Sequence, residues 1–525
     1  MARRWFGVVA LALVATLVVG SCSGDDDGGD DTAGSDEGSG GDGSGGDAGA
    51  EREIPGADVA RPTVRGPLTE GSQDGPFIAM PPALAEQYGY VEDEYVMEGE
   101  ATSYAVEGEQ GGDGMWTVAE DATAPYVTRI LVRHPEDPEA FDGTVFVEWL
   151  NVSAGIDADA NFGLAHEEIL REGSAWVGVS AQKAGIEGGG ALSIPGIELQ
   201  GLKSWDPERY GDLSHPGDQF SYDMFSQAAQ AIWRPGDVDV LGGLQPEHVI
   251  ATGESQSAAR MVTYVDAVQP VAGIYDGFLI HSRGGSAAPL GGDASGAGVL
   301  GNIGPVQIRT DLEQPVLQFQ TETDMFGVLG FHPARQDDSD TVRTWEVAGT
   351  AHADKATLDY RTGPGAADGV GGSGSTAGGD PGGLSGLCGS INEGPQSLVL
   401  RAAVHALRAW VVDGELPPES PRFEVDGEAL ARDERGIAIG GIRTAAVDAP
   451  VAVLSGESDA DSIICVLFGS TTPFDAATLA ELYPTHDDYV EAVTDATDAA
   501  VEAGFVLELD GDGVVAAAED APVPE

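Results

Sequence analysis

The chain has 525 residues, 42% of them hydrophobic, which is ample for a large core and excludes a disordered or fibrous class. Asp and Glu number 88 against 25 Lys and Arg, and the formal net charge of −63 argues against nucleic acid or anionic lipid as a partner. A solvating acidic surface accounts for that charge without any partner.

Arg3 and Arg4 precede an apolar run over residues 5–19. It is shorter than the ~20 residues of a membrane span and reads as an export signal. The run closes on Val19, Gly20, Ser21 and Cys22, which resembles the lipobox of bacterial lipoproteins. That resemblance implies a signal peptide over 1–21 and lipidation of Cys22, with the exported chain anchored at the cell membrane through lipid alone. A simple secretory signal with an incidental cysteine is the plainer alternative. Arg3-Arg4-Trp5-Phe6 also resembles, faintly, a twin-arginine export motif. Cys388 and Cys465 are then left outside the reducing cytosol, where a disulfide between them is the economical reading and two free buried thiols are the alternative. Two cysteines make a poor metal site.

Residues 22–55 are dominated by Gly, Asp, Ser, Ala and Glu and read as an extended acidic tether. Strand-length apolar runs then alternate with longer helical stretches, the pattern of an α/β fold whose mostly parallel sheet is covered on both faces. Candidate strands are 144–149, 175–179, 248–252, 277–281, 316–320 and 344–347, rich in Val, Ile, Leu, Phe and Trp as doubly buried strands should be. Helices are expected over 257–268 and 396–412, the second stopped by Pro417 and Pro418. Residues 363–386 read as a Gly-rich insertion, 476–503 as helical, and 511–525 as an acidic tail, and neither the insertion nor the helical stretch reads as a separate domain.

The strongest local signal is Gly253-Glu254-Ser255-Gln256-Ser257, set between a predicted strand and a predicted helix. Strand, sharp turn, helix is the setting of a nucleophile elbow, which lifts the serine hydroxyl out at the C-terminal edge of the sheet. A serine needs a base to take its proton. His352 suits that role, because Ala348-Gly349-Thr350-Ala351-His352 is a small-residue loop leaving the strand around Trp345-Glu346-Val347. His332, His405 and His486 also follow the elbow, but none leaves a buried strand. The orienting acid should lie just past the preceding strand, where Thr321-Glu322-Thr323-Asp324 offers Asp324, with Glu322 as the alternative. For an oxyanion hole, Gln256 supplies the N–H after the nucleophile, and the loop after Trp149 supplies Asn151 or Val152.

With these residues in view, Glu148-Trp149-Leu150-Asn151-Val152, the run from His215 to Asp223, Gly253 to Ala258 and Cys465 to Ser470 resemble motifs of a family of large bacterial α/β-hydrolase-domain proteins. The resemblance runs from about Gly56 to about Asp510. It implies the α/β-hydrolase fold in one domain, exported serine hydrolases as relatives, and a triad on Ser255, Asp324 and His352. His215, Asp218 and Tyr222 either shape the pocket or form a polar network beneath a loop. The resulting expectation is an exported serine hydrolase acting on small-molecule carboxylic esters, or amides, through an acyl-enzyme. Neither HExxH nor a phosphate-cradling GxxxxGK occurs, and no metal or organic cofactor is expected. The rival from another class is a surface-tethered binding protein that keeps the fold without turnover.

Overall fold

The computed structural model describes residues 55–190, 199–291, 301–362, 387–460 and 462–523. The expected signal peptide, the lipidation site Cys22, the tether up to residue 54 and the insertion 363–386 lie outside these residues.

Long apolar runs cannot be left half exposed, and the sheet satisfies them by burying both faces. Nine strands of the described residues form one sheet in the order β1-β2-β3-β5-β4-β6-β7-β8-β9. They are β1 (Thr63–Arg65), β2 (Tyr90–Glu107), β3 (Thr117–Pro135), β4 (Thr144–Trp149), β5 (Ala175–Val179), β6 (His248–Glu254), β7 (Gly277–His281), β8 (Val316–Thr321) and β9 (Val342–Val347). From β5 to β9 all pairing is parallel, while β1, β2 and β3 join antiparallel. Along β4 the side chains alternate between two cores. Val145, Val147 and Trp149 pack with Tyr222, Phe225 and Met261 on one face, and Phe146 packs with Phe162, Trp176 and Leu400 on the other. Each such aliphatic or aromatic side chain contributes about 1.5–3 kcal/mol when fully buried, so the two faces carry most of the driving force for folding.

The helices follow from this division. Ser221–Trp233 is buried along its whole length on the first face, and Ala160–Glu172 and Gln396–Asp413 cover the second. The late helix ends at Asp413, where Gly414 takes φ 73° as a left-handed cap; the stop comes from this glycine, ahead of the prolines expected to supply it. The helix expected over 257–268 is α-helical over Gln256–Thr263 and continues as a π-helical turn over Tyr264–Val268.

Two boundaries differ from expectation. β2 and β3 were not among the expected strands, because their sequences mix Glu, Asp and Thr with apolar residues and their burial is uneven, residues 120–123 being exposed and 128–135 buried. The expected acidic tail over 511–525 is instead largely helix, Glu508–Asp520, and the boundary at 510 falls inside it. Val514 and Ala518 pack against Tyr489 and Val493 of helix His486–Glu502, and Asp510 pairs with Arg171 and Arg401. Apolar spacing and these ion pairs hold that segment on the domain. Residues Ile54–Glu525 form a single unit by their contacts. No helix of the described residues is long and apolar enough to cross a membrane. Cys388 and Cys465 form a disulfide across 77 residues of sequence, a link that contributes about 2–4 kcal/mol chiefly by restricting the unfolded chain.

Candidate active site

The elbow is built by three small residues with different duties. Ser255 sits at φ 58° and ψ −113°, a left-handed backbone that costs a non-glycine residue about 1–3 kcal/mol and persists only where its surroundings impose it. Gly253 lies so close to the following helix that a Cβ there would stand 2.8 Å from Met261 Cγ and 2.9 Å from the Ser257 carbonyl oxygen. Ser257 stands where such elbows commonly carry a second glycine. Its hydroxyl donates to the Glu254 carbonyl at 2.8 Å and accepts from the Glu254 N–H at 3.0 Å, closing the turn. Serine at this position therefore ties the elbow together as well as fitting it.

His352 leaves the end of β9 on a loop fixed by Thr350 Oγ1 donating to the Val347 carbonyl at 2.6 Å. Its Nε2 lies 2.7 Å from Ser255 Oγ and its Nδ1 lies 2.7 Å from Asp324 Oδ1. A carboxylate only accepts, so Nδ1 carries the proton and Nε2 is left to receive one from the serine hydroxyl. Asp324 Oδ2 accepts from the Thr321 N–H at 2.7 Å, which locks the carboxylate in place. Burial opposes charging of His352, but the hydrogen bond and charge of Asp324, with the charge of Glu254, outweigh it and raise the imidazole pKa.

Glu322, the alternative acid, does not reach the imidazole ring. Its Oε1 accepts from Gly349 N–H at 2.7 Å, and its Oε2 accepts from Gly456 N–H at 3.1 Å and pairs with Arg432 at 3.0 Å. It staples the histidine loop to neighbouring segments. The other histidines weighed for the base are also engaged elsewhere: His405 pairs with Glu168, His332 stacks on Phe326, and His486 bonds the carbonyls of Val523 and Glu519.

The candidate oxyanion donors divide. Gln256 opens its helix, and among the described residues its backbone N–H meets no acceptor. Val152 N–H reaches only the side-chain Oε1 of Gln256, at a long 3.4 Å. Asn151 is a correction, because its backbone N–H is spent on the Ala158 carbonyl at 2.9 Å. Its side-chain Nδ2 instead donates to the carbonyl and to Oε2 of Glu254, both at 3.0 Å. Gln256 N–H is thus left open beside Ser255, and Val152 N–H holds only the long bond to Gln256 Oε1, which a developing negative oxygen would have to displace.

The alpha/beta hydrolase domain family matches this chain over residues 64–516. The chain belongs to that family. Similar solved structures include an α/β serine hydrolase without a lid, XC6422 of Xanthomonas campestris, at 10% identity and TM-score 0.25 over 46% of this chain and 83% of that one. An α/β serine hydrolase homologue from Coxiella burnetii matches at 11% identity and TM-score 0.25, over 43% of this chain and 84% of that one. The esterase Est22 matches at 12% identity and TM-score 0.27, over 53% and 77% respectively. No curated protein sequence matches.

Within this alpha/beta hydrolase domain, several site residues escaped the reading of the sequence. Gln182 accepts from both Trp149 Nε1 and Gln256 Nε2 at 2.9 Å, and its own amide donates to Asp218, which pairs with Arg260 at 3.2 Å. His215 donates to the Ala181 carbonyl, and Tyr222 OH to the Pro289 carbonyl. Asp218 and Tyr222 of the motif from His215 to Asp223 thus join Arg260, Gln182 and Gln256 in one polar network, while His215 bonds the backbone of Ala181 and Gly217. The carboxyl of Glu254 was likewise missed; its Oε1 lies 3.5 Å from His352 Nε2. A charged residue between the elbow glycine and the nucleophile was the signal that could have found it. Among the described residues, one group of side chains of metal-ligating type comes together on the helices of the second face, Glu168, Glu172 and His405, but Arg171 already pairs with Glu168 there.

Proposed function

We propose that this hydrolase cleaves carboxylic esters, or amides, through an acyl-enzyme on Ser255. The observation that carries the reading is the unbroken path from Ser255 Oγ through His352 to Asp324, with both links at 2.7 Å. Ser255 Oγ attacks the substrate carbonyl as its proton passes to His352 Nε2. The carbonyl π electrons move to oxygen, where Gln256 N–H and Val152 N–H receive the charge. Collapse expels the alcohol or amine, which takes the proton from Nε2, and water repeats the sequence to free the acid. A fluorophosphonate tests this directly, because it phosphonylates only an activated serine. Labelling confined to Ser255 is expected, and a folded protein that stays unlabelled would favour the rival, a binding module without turnover.

We also propose that Cys22 bears a lipid, which would tether the exported domain to the membrane with residues 22–55 as its spacer. The support is the run of small residues ending in that cysteine. One thioether would carry the anchor, so Cys22→Ala should abolish incorporation of labelled lipid and change processing at residue 21. Undiminished lipid labelling of the variant would contradict the assignment.

A further inference from the structure

Two carboxylates face the same imidazole. Asp324 meets His352 at Nδ1, and Glu254 approaches from the serine side, its Oε1 3.5 Å from Nε2. Glu254 is 8% exposed, and its other oxygen is held by Asn151 Nδ2 at 3.0 Å, the residue whose expected oxyanion role the fold does not allow. The triad as described gives Glu254 no duty. A carboxyl buried beside a nucleophile, and pinned by an amide from another loop, is costly unless it interacts with charge that forms there.

We propose that Glu254 is a positioning residue of this reaction, an anion that holds the imidazolium of His352 from the Nε2 side while Asp324 holds it at Nδ1. The inference rests on the acyl-transfer reading above. When the Ser255 proton reaches Nε2, the ring becomes a cation between two carboxylates, and Glu254 accepts no proton itself. After the leaving group takes the Nε2 proton, the ring is neutral again and the pair is reset.

The groups facing Glu254 make its charge state responsive to pH. His352 faces it from the loop after β9, Asp324 from the turn after β8, and uncharged Asn151 from the loop after β4. His281 is its register partner on β7 and stays neutral, since burial pushes its pKa down to about 3. Burial, aided by the charge of Asp324, lifts the Glu254 carboxyl to about 7, against the pull of His352 and Asn151. The fastest state is therefore neutral His352 beside ionised Glu254: protonation of His352 removes the base, and protonation of Glu254 slows the reaction as its replacement by Gln would. The two groups titrate as a pair, so the acid limb of the rate profile belongs to both.

The test is the pH dependence of Ser255 phosphonylation by a fluorophosphonate, with kcat and KM for a neutral acetate ester, in wild type, Glu254→Gln and Glu254→Asp. Glu254→Gln should lower the plateau rate about tenfold and move the acid limb about one pH unit downward, since His352 loses an anionic neighbour. KM should change less than about twofold. Glu254→Asp keeps the charge and should return the limb toward its wild-type position. Asn151→Ala gives an independent reading with the opposite sign: it removes the bond that favours the anion, so its limb should move upward. Labelling of Ser255 with an unmoved limb in the Glu254 and Asn151 variants would overturn the role of Glu254 alone. Wild-type protein that neither labels nor turns over would overturn the hydrolase reading, and this inference with it.

Discussion

Ser255→Ala and His352→Ala are each expected to lower kcat by about 10³–10⁶-fold, with the double variant scarcely worse than either, because groups that act as one unit are strongly non-additive. Without Ser255 Oγ there is no atom to carry the acyl group. Without His352 the hydroxyl keeps its proton at neutral pH. The two substitutions differ in their structural cost. Ser255→Ala deletes one oxygen from a 6% exposed side chain and leaves the strained elbow backbone as it was, so melting should scarcely change. His352→Ala strips Asp324 Oδ1 of its partner inside the fold, and an orphaned buried acceptor costs about 1–3 kcal/mol. Ser255→Ala is therefore the cleaner probe of chemistry, with ester turnover and a thermal melt measured on one preparation. Full turnover by folded Ser255→Ala would remove the nucleophile from its place.

The elements legible in the sequence are those whose physics is local. β4 to β9 are apolar runs without alternation, which only strands covered on both faces tolerate, and they were visible to within a few residues. The elbow is legible for the same reason, since its small residues meet in one turn. β2 and β3 were not legible, because polar residues interrupt their apolar runs and their pairing spans many residues of sequence. The oxyanion loop shows a second limit. Asn151 and Val152 are adjacent, and only the turn that pairs Asn151 with Ala158 decides which N–H is spent on the main chain and which holds no more than a long side-chain bond. The polar cluster behind Gln256 shows a third. Gln182, Asp218 and Arg260 come from separate segments, and nothing at any one of them signals the others.

The choice between Asp324 and Glu322 belongs to the same class of long-range decision and yields the other large effect. Both acids lie in one four-residue helical turn, Glu322–Met325, and both are buried. What separates them is Gly349, Gly456 and Arg432, which claim Glu322 from distant parts of the chain. Asp324→Asn should lower kcat about 10⁴-fold while leaving the ring in place. The reason is the anchoring of Oδ2: the Thr321 N–H demands an acceptor there, so the amide NH₂ must turn toward His352 Nδ1. A donor at that position forces Nδ1 to be the acceptor and puts the ring proton on Nε2, where it blocks transfer from Ser255. Glu322→Gln should show the converse pattern. Its amide cannot accept from Gly349, Gly456 and Arg432 together, so stability should fall by about 1–3 kcal/mol. Turnover should fall less than about tenfold, since the histidine loop loosens without losing its orienting acid. The two variants measured side by side, kcat on an ester and midpoint of thermal unfolding, give crossed results if Asp324 orients the base. A large catalytic loss in Glu322→Gln with near-normal turnover in Asp324→Asn would transfer that role to Glu322.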